Sequence, residues 1–395
     1  MLPRRVAAAA TVAATTLMAT FAFFMHWPCR NTGYTDSRFT SLCYSDLASL
    51  FANPPLVDGS SPFGGTLPVE QAPIPAFILW LISQGGLGFL NHVVVMQIVL
   101  TAFMMWIAVM VLKHRYWRPL DAALVALTPL WPFVMWVSTD VISIAFAAAA
   151  FFAWHRNRIL PAAIFSGLAL ASGAWTWVFL LGFLVEASRQ ERTRVALQVI
   201  GVAIGTALVC NLPRILAGDS VLQAWKWKAG EGTPIYVWTE ITGHTSVSNI
   251  VVTLAGLSVT AAIARWAVAT PFDFRLELFI IIVVGVQLLT MPSIPPQSLT
   301  HLAFLIPVAF SQRKTVIGYS IPLIIYVIGV WMHFEAASPN GKGINHYVYG
   351  VLCIMMWVTV VHIMRRAMNM IRIQGTDEVT QSYAAYVRGL GNGEA

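Results

Sequence analysis

Charge is what this sequence has least of. Asp, Glu, Lys and Arg make up 10% of its 395 residues and apolar types 57%, where a soluble globular domain carries about 25% charged residues. That scarcity excludes a soluble enzyme, a disordered chain and a coiled coil. Cysteine is scarce too: there are four, with no CxxC pair and no Cys/His spacing of a metal site. Asp/Glu/His clusters with the spacing of a dedicated divalent-cation site are also missing, so a divalent metal is not indicated. No long apolar run carries a carboxylate, Lys or Arg at its centre, where ion-coupled transporters keep one. No repeat relates the two halves of the chain. What the sequence does have is apolar bulk, including 15 Trp and 22 Phe, which only lipid or tight helix packing hides. These features describe a polytopic membrane protein.

The first apolar run, Val6 to Trp27, has 22 residues without a charge and follows Arg4-Arg5. It is too long for a signal-peptide core, and no small-x-small cleavage site follows it. We expect an uncleaved helix with its N-terminus inside. The next run, 90–112, ends in the basic cluster Lys113 to Arg118, which reads as cytoplasmic, so 28–73 is expected outside. Further runs fall near 119–136, 141–154, 159–171, 174–187, 195–212, 247–267, 276–292, 299–311, 315–333 and 346–364. Several are shorter than the roughly 20 residues that span a bilayer, and imply tilted, half-buried or cavity-lining helices.

The expectation is an all-α plasma-membrane protein with about 12 transmembrane helices, outer-face loops and a juxtamembrane helix. The membrane domain covers 1–368 and a cytoplasmic tail covers 369–395. On this layout the net charge of +7 is a topology signal, and no nucleic-acid partner is expected. Eighteen of 24 Lys/Arg lie inside, with Arg30, Arg38, Arg214, Lys226, Lys228 and Lys342 outside. Carboxylates are biased the other way: nine of 17 lie outside, among them Asp36, Asp46, Glu70, Asp140, Glu231 and Glu240. Any chemistry is therefore expected on the outer side.

The loop 28–73 is too rich in polar and turn residues for a mere connector. Cys29 and Cys43 either pair as a disulfide that bounds Asp36 and holds Asp46, or remain two thiols; an oxidising compartment favours the pair. Leu47 to Phe51 reads as a helical turn. Ile74 to Ser83 reads as a helix returning to the membrane surface. An acidic residue close after the first helix, followed by a surface helix, suits a general base acting on a hydroxyl beside the membrane.

Cys43-Tyr-Ser-Asp46-Leu resembles the "CYSD" element of the glycosyltransferase family 87 membrane proteins of actinobacteria, in the GT-C superfamily. Val69-Glu-Gln-Ala-Pro73 is similar to the family's Tyr/Pro segment, and Ser138-Thr-Asp140 to its "NWD" element. Asn211-Leu-Pro213 resembles "NLP", while Pro292-Ser-Ile-Pro-Pro-Gln297 and Leu305-Ile-Pro307 resemble "SPQ" and "LLPL". The resemblance covers most of the chain and implies a GT-C-like bundle that transfers a sugar, mannose first of all. The donor it implies is a polyprenyl-phosphate sugar, and the acceptor a cell-envelope glycolipid or glycan. Two basic positions of the family are absent: a Lys within Ala171 to Thr176, and an Arg where this chain has Gly230-Glu231. The departures keep two other readings open. One is a non-catalytic member that binds lipid-linked sugar or scaffolds an envelope-synthesis complex; the other is a transporter of lipid-linked sugars.

Within the resemblance, Asp46 is the candidate base, and the competing role is a helix N-cap, which Ser45 or Asp46 before Leu47 suits equally. Asp36 is a second candidate. Asp140 either positions substrate or caps the helix behind it, with the cap preferred. Arg214, Lys226 and Lys228 are candidates for donor phosphate. The two lysines, with Trp225 and Trp227, also fit an interfacial belt. His244 contacts phosphate or acceptor, or serves at a helix start. Gln297 bonds substrate or satisfies broken backbone. Glu70 and Gln71 complete the candidate substrate site.

Overall fold

In a computed structural model of the chain, residues 4–34, 38–63, 71–114, 120–218, 230–243, 249–269, 274–291, 293–336, 341 and 343–373 are described. All regular structure among them is helical. The first helix, α1 (Arg4–Asn31), is followed by the short α2 (Asp46–Phe51) and α3 (Pro54–Val57). Next come α4 (Pro73–Ser83) and the long α5 (Phe89–His114). The run expected as one span at 119–136 is instead two short helices, α6 (Leu120–Ala126) and α7 (Trp131–Val134). Pro129 lies in the break, where a ring without an N–H cannot continue the ladder. The freed carbonyl of Val125 is taken by the Trp131 indole Nε1 at 2.8 Å.

The chain continues through α8 (Asp140–His155), α9 (Ile159–Ser172), α10 (Trp177–Arg189) and α11 (Thr193–Leu216). The last of these runs through Pro213 and beyond the expected end at 212. Then follow α12 (Pro234–Thr242), α13 (Asn249–Ala269), α14 (Leu276–Thr290), α15 (Thr300–Phe310), α16 (Arg313–Ala336) and α17 (His346–Ile373). Helix α17 extends past the expected domain boundary at 368; residues 374–395 of the tail lie outside the described residues.

Six helices (α1, α5, α11, α13, α16 and α17) are long and apolar enough to cross a membrane. That is compatible with a membrane protein. The long α11 and α13 are among the least buried, and both leave large apolar side chains exposed, such as Val209 at 69% and Ile250 at 59%. The short α15 is buried at every residue, and α14 at nearly every one. The short α14 and α15 are thus enclosed by neighbouring helices, whereas the short α4 and α9 leave Phe77 and Leu160 exposed and the long α16 is more than half buried.

Two groups of helices meet at the centre. In one, α8 packs on α5 and α9, α9 on α11, and α1 on α5 and α6; in the other, α17 packs on α14 and α16. The enclosed α15 touches members of both, including α6, α8, α14 and α16. The α9/α11 contact is close: a Cβ at Gly167 would fall 2.4 Å from the Thr206 Cβ, the close small-residue packing that apolar media favour. At one end of this assembly lie α2, α4, α12 and the turn before α15, and they build the site below.

Candidate active site

The segment that carries Asp46 is anchored at both ends. Cys29, inside the last turns of α1, is disulfide-bonded to Cys43, with their Cα atoms 5.9 Å apart. The expected pair is therefore present. Between the two cysteines, Tyr34 donates its N–H to the Cys29 carbonyl at 2.7 Å, and its hydroxyl accepts from Gln97 Nε2 at 3.2 Å.

Ser45 caps α2: its backbone is extended and its Oγ accepts from the Leu47 N–H at 3.3 Å. The same hydroxyl donates to the Trp136 carbonyl at 2.6 Å. The Asp46 N–H donates to the Val137 carbonyl at 2.8 Å. Capping falls to Ser45, so the Asp46 carboxylate is left for other partners.

Those partners are specific. The Tyr44 hydroxyl donates to Asp46 Oδ1 at 2.5 Å, and Gln297 Nε2 donates to Oδ2 at 3.1 Å. Gln297 sits in a one-turn 3-10 helix, Pro296–Leu299, immediately before α15. A carboxylate has about four lone-pair sites, so acceptor capacity remains on this half-buried group for a substrate hydroxyl. Burial raises the Asp46 pKa above the ordinary carboxylate range, and the negative charge of Glu231 raises it further. The Tyr44 hydrogen bond and the charge of Arg38 act in the opposite direction, and burial prevails. A basic carboxylate near a surface fits general-base chemistry.

A second wall comes from α8, α4 and α11. Asp140 is the first residue of α8 and does not cap it, contrary to the preferred expectation; Thr139 holds the cap position without a side-chain cap bond. Instead, Ser138 Oγ donates to Asp140 Oδ2 at 2.8 Å and accepts the Asp140 N–H at 3.3 Å. Asp140 interacts electrostatically with Asp46. Thr139 Oγ1 donates to Gln71 Oε1 at 2.8 Å, and Arg214 Nη1 donates to the Gln71 carbonyl at 2.7 Å. Gln71 is thus linked to Thr139, the neighbour of Asp140, and to Arg214, which is engaged in holding the start of α4. Asp36, Glu70, Lys226, Lys228 and His244 lie outside the described residues.

A third wall went unrecognised in the sequence. The segment Gly230 to Thr233 inserts between the end of α14 and the helices α16 and α17. The Glu231 carbonyl accepts from the Ile294 N–H at 2.6 Å, and its carboxylate Oε2 accepts from Ser293 Oγ at 3.1 Å. The Gly232 N–H donates to the Tyr349 hydroxyl at 2.7 Å, and its carbonyl accepts from the Trp357 indole at 2.7 Å. With φ at +77° and Tyr326 Oη 2.0 Å from where a Cβ would stand, only glycine fits at 232. A lone carboxylate between two glycines, followed by a Thr-Pro helix start, was the available signal. Thr233 does cap α12, through the Tyr236 N–H at 3.2 Å.

Aromatic rings connect these walls. Phe39 stacks on Tyr44 with centroids 5.1 Å apart and meets Phe334 at 5.7 Å. The Arg38 guanidinium lies 5.0 Å from the Phe39 centroid and 5.7 Å from that of Tyr44. Among the described residues, no group of three His, Cys, Asp or Glu side chains is placed to hold a metal ion. Compared with known proteins, the chain matches no family model, no curated protein and no solved structure.

Proposed function

We propose that this protein is a membrane glycosyltransferase that moves a sugar, mannose first of all, from a polyprenyl phosphate to a cell-envelope glycolipid or glycan. In this reading about 12 helices cross the plasma membrane, with long helices such as α11 and α13 at the periphery and the enclosed α14 and α15 within the bundle. The loop 28–73 faces the outer side, where the Cys29–Cys43 disulfide is at home.

The observation that carries the proposal is the Asp46 carboxylate, freed from capping by Ser45 and held between Tyr44 and Gln297. Transfer is a single in-line displacement. The acceptor hydroxyl oxygen attacks the anomeric carbon as its proton passes to Asp46. The bond from that carbon to the phosphate oxygen breaks, and its electron pair leaves with the phosphate. Configuration at the sugar inverts. A phosphate leaves without a second acid, so one carboxylate is enough. The CYSD-like and SPQ-like elements, distant in sequence, meet through the Gln297 to Asp46 hydrogen bond, which supports placing both in one site. The test is product formation from polyprenyl-phosphate sugars by the purified protein and its loss in Asp46→Asn.

A further inference from the structure

The transfer proposed above leaves a charge problem. A polyprenyl-phosphate sugar is a phosphodiester with one negative charge, and its leaving group is a phosphate monoester that carries two. The family's two basic residues are absent, and Arg214, the expected substitute, is engaged with the Gln71 carbonyl. Among the described residues, Arg38 is placed differently. Its guanidinium lies over the faces of Phe39 and Tyr44, an arrangement that fixes its plane without consuming its N–H donors. It makes no hydrogen bond or ion pair from its side chain to another described residue. It is held five residues before Cys43, whose N–H bonds the Arg38 carbonyl at 3.1 Å and whose sulfur is tied to α1. Its half-buried position lies on the same segment as Asp46, whose charge it offsets without contact.

We infer that Arg38 binds the phosphate monoester of the polyprenyl carrier, through the N–H fork that no described residue engages, on the side of the site bounded by Phe39 and Tyr44. This inference rests on the transferase reading. The charge accounting then closes. Before transfer, Arg38 faces the Asp46 carboxylate and a singly charged phosphodiester. As the acceptor proton reaches Asp46, that carboxylate becomes neutral, and the electron pair of the breaking bond gives phosphate its second charge. Arg38 loses one counter-charge as it gains another, so its attraction for phosphate is greatest once the bond has broken. A cation that favours the later state more than the earlier lowers the barrier between them.

The test is binding rather than turnover. The full chain is purified in phosphatidylcholine nanodiscs, and farnesyl phosphate is titrated with intrinsic tryptophan fluorescence as the readout. Farnesol and inorganic phosphate serve as separate arms. Loss of a charge-assisted hydrogen bond is worth tenfold or more in affinity. Arg38→Gln is expected to weaken farnesyl phosphate by at least about tenfold and leave farnesol unchanged; Arg38→Lys, which keeps the charge and loses the fork, should fall between. Competition by inorganic phosphate in the wild type but not in Arg38→Gln would also support the assignment and show that free phosphate is accepted. A lack of competition, with farnesyl phosphate still dependent on Arg38, supports it for lipid-borne phosphate alone. Equal farnesyl phosphate affinity in wild type and Arg38→Gln, or no binding by the wild type, overturns it. If the Gln variant does not fold, equal affinity in Arg38→Lys is the overturning result. Because no sugar is present, Arg38-dependent binding by a protein that makes no product would retain the phosphate site and remove the transferase reading. Turnover without Arg38-dependent binding would do the reverse.

Discussion

Gln297 Nε2 donates a hydrogen bond of 3.1 Å to Asp46 Oδ2, across 251 positions of sequence. It fixes the turn before the enclosed helix α15 against the start of α2, and leaves one oxygen of the carboxylate to Tyr44. Gln297→Ala removes a donor to the charged form of Asp46 without removing the base. We expect kcat to fall about tenfold, the scale of one charge-assisted hydrogen bond, with little change in donor KM. Gln297→Glu places a second carboxylate against the first and should be more damaging. Steady-state kinetics on both variants checks the order.

In the proposed transfer the acidity of Asp46 sets the pH profile. Burial raises its pKa, and a general base works only when ionised. Activity should therefore rise with pH along a limb lying above the ordinary carboxylate range. Tyr44 lowers that pKa by its hydrogen bond, so Tyr44→Phe should move the limb to higher pH. A limb that moves down in Tyr44→Phe contradicts this arrangement.

The same shift has a consequence for stability. A carboxyl whose folded pKa exceeds its unfolded value binds more protons when folded, so stability falls as pH rises through the interval between the two. Asp46→Asn removes that dependence. The variant should match the wild type at pH below the unfolded carboxylate value and be more thermally stable at neutral pH, as thermal unfolding scans in detergent would show.

The disulfide closes a loop with a separation of 14 residues, worth about 3 kcal/mol in the chain-entropy model. Paired Cys29→Ser and Cys43→Ser substitution should lower thermal stability accordingly. It should also lower kcat more than it raises acceptor KM, because Tyr44 and Asp46 follow Cys43 directly. Thermal unfolding and steady-state kinetics of the double variant measure both.

Gly232 tests the wall that holds Glu231. Its positive φ and the Tyr326 hydroxyl where a Cβ would stand predict that Gly232→Ala costs about 1–3 kcal/mol. Gly59, also at positive φ but with only the Gln84 side chain nearby, should tolerate Ala with a smaller loss in the same unfolding assay.

What was legible beforehand depended on local signals. Charge-free runs marked the long helices, the Cys29 to Cys43 spacing marked the staple, and Ser45-Asp46-Leu47 marked a helix start. Which of those residues was the cap was not legible, because both types cap equally well; the contact of Ser45 with Trp136 decides it, and lies 91 positions away. The split of 119–136 was hidden because the run is apolar on both sides of Thr128-Pro129, and Pro132, in the first turn of α7, is equally compatible with one continuous span. In the sequence Glu231 reads only as one of the outer carboxylates and as the place of a missing Arg. Its placement depends on Tyr349, Trp357 and Ser293, partners that adjoin it only after the helices pack.

In the proposed transfer Asp46 takes the acceptor proton. The most direct measurement is product formation by purified wild type and Asp46→Asn, incubated with several polyprenyl-phosphate sugars and an envelope lipid extract and read by mass. The expected result is an acceptor heavier by one sugar with the wild type, and a loss of at least about 100-fold in Asp46→Asn with the protein still folded and membrane-inserted. Turnover by Asp46→Asn near the wild-type rate would contradict it.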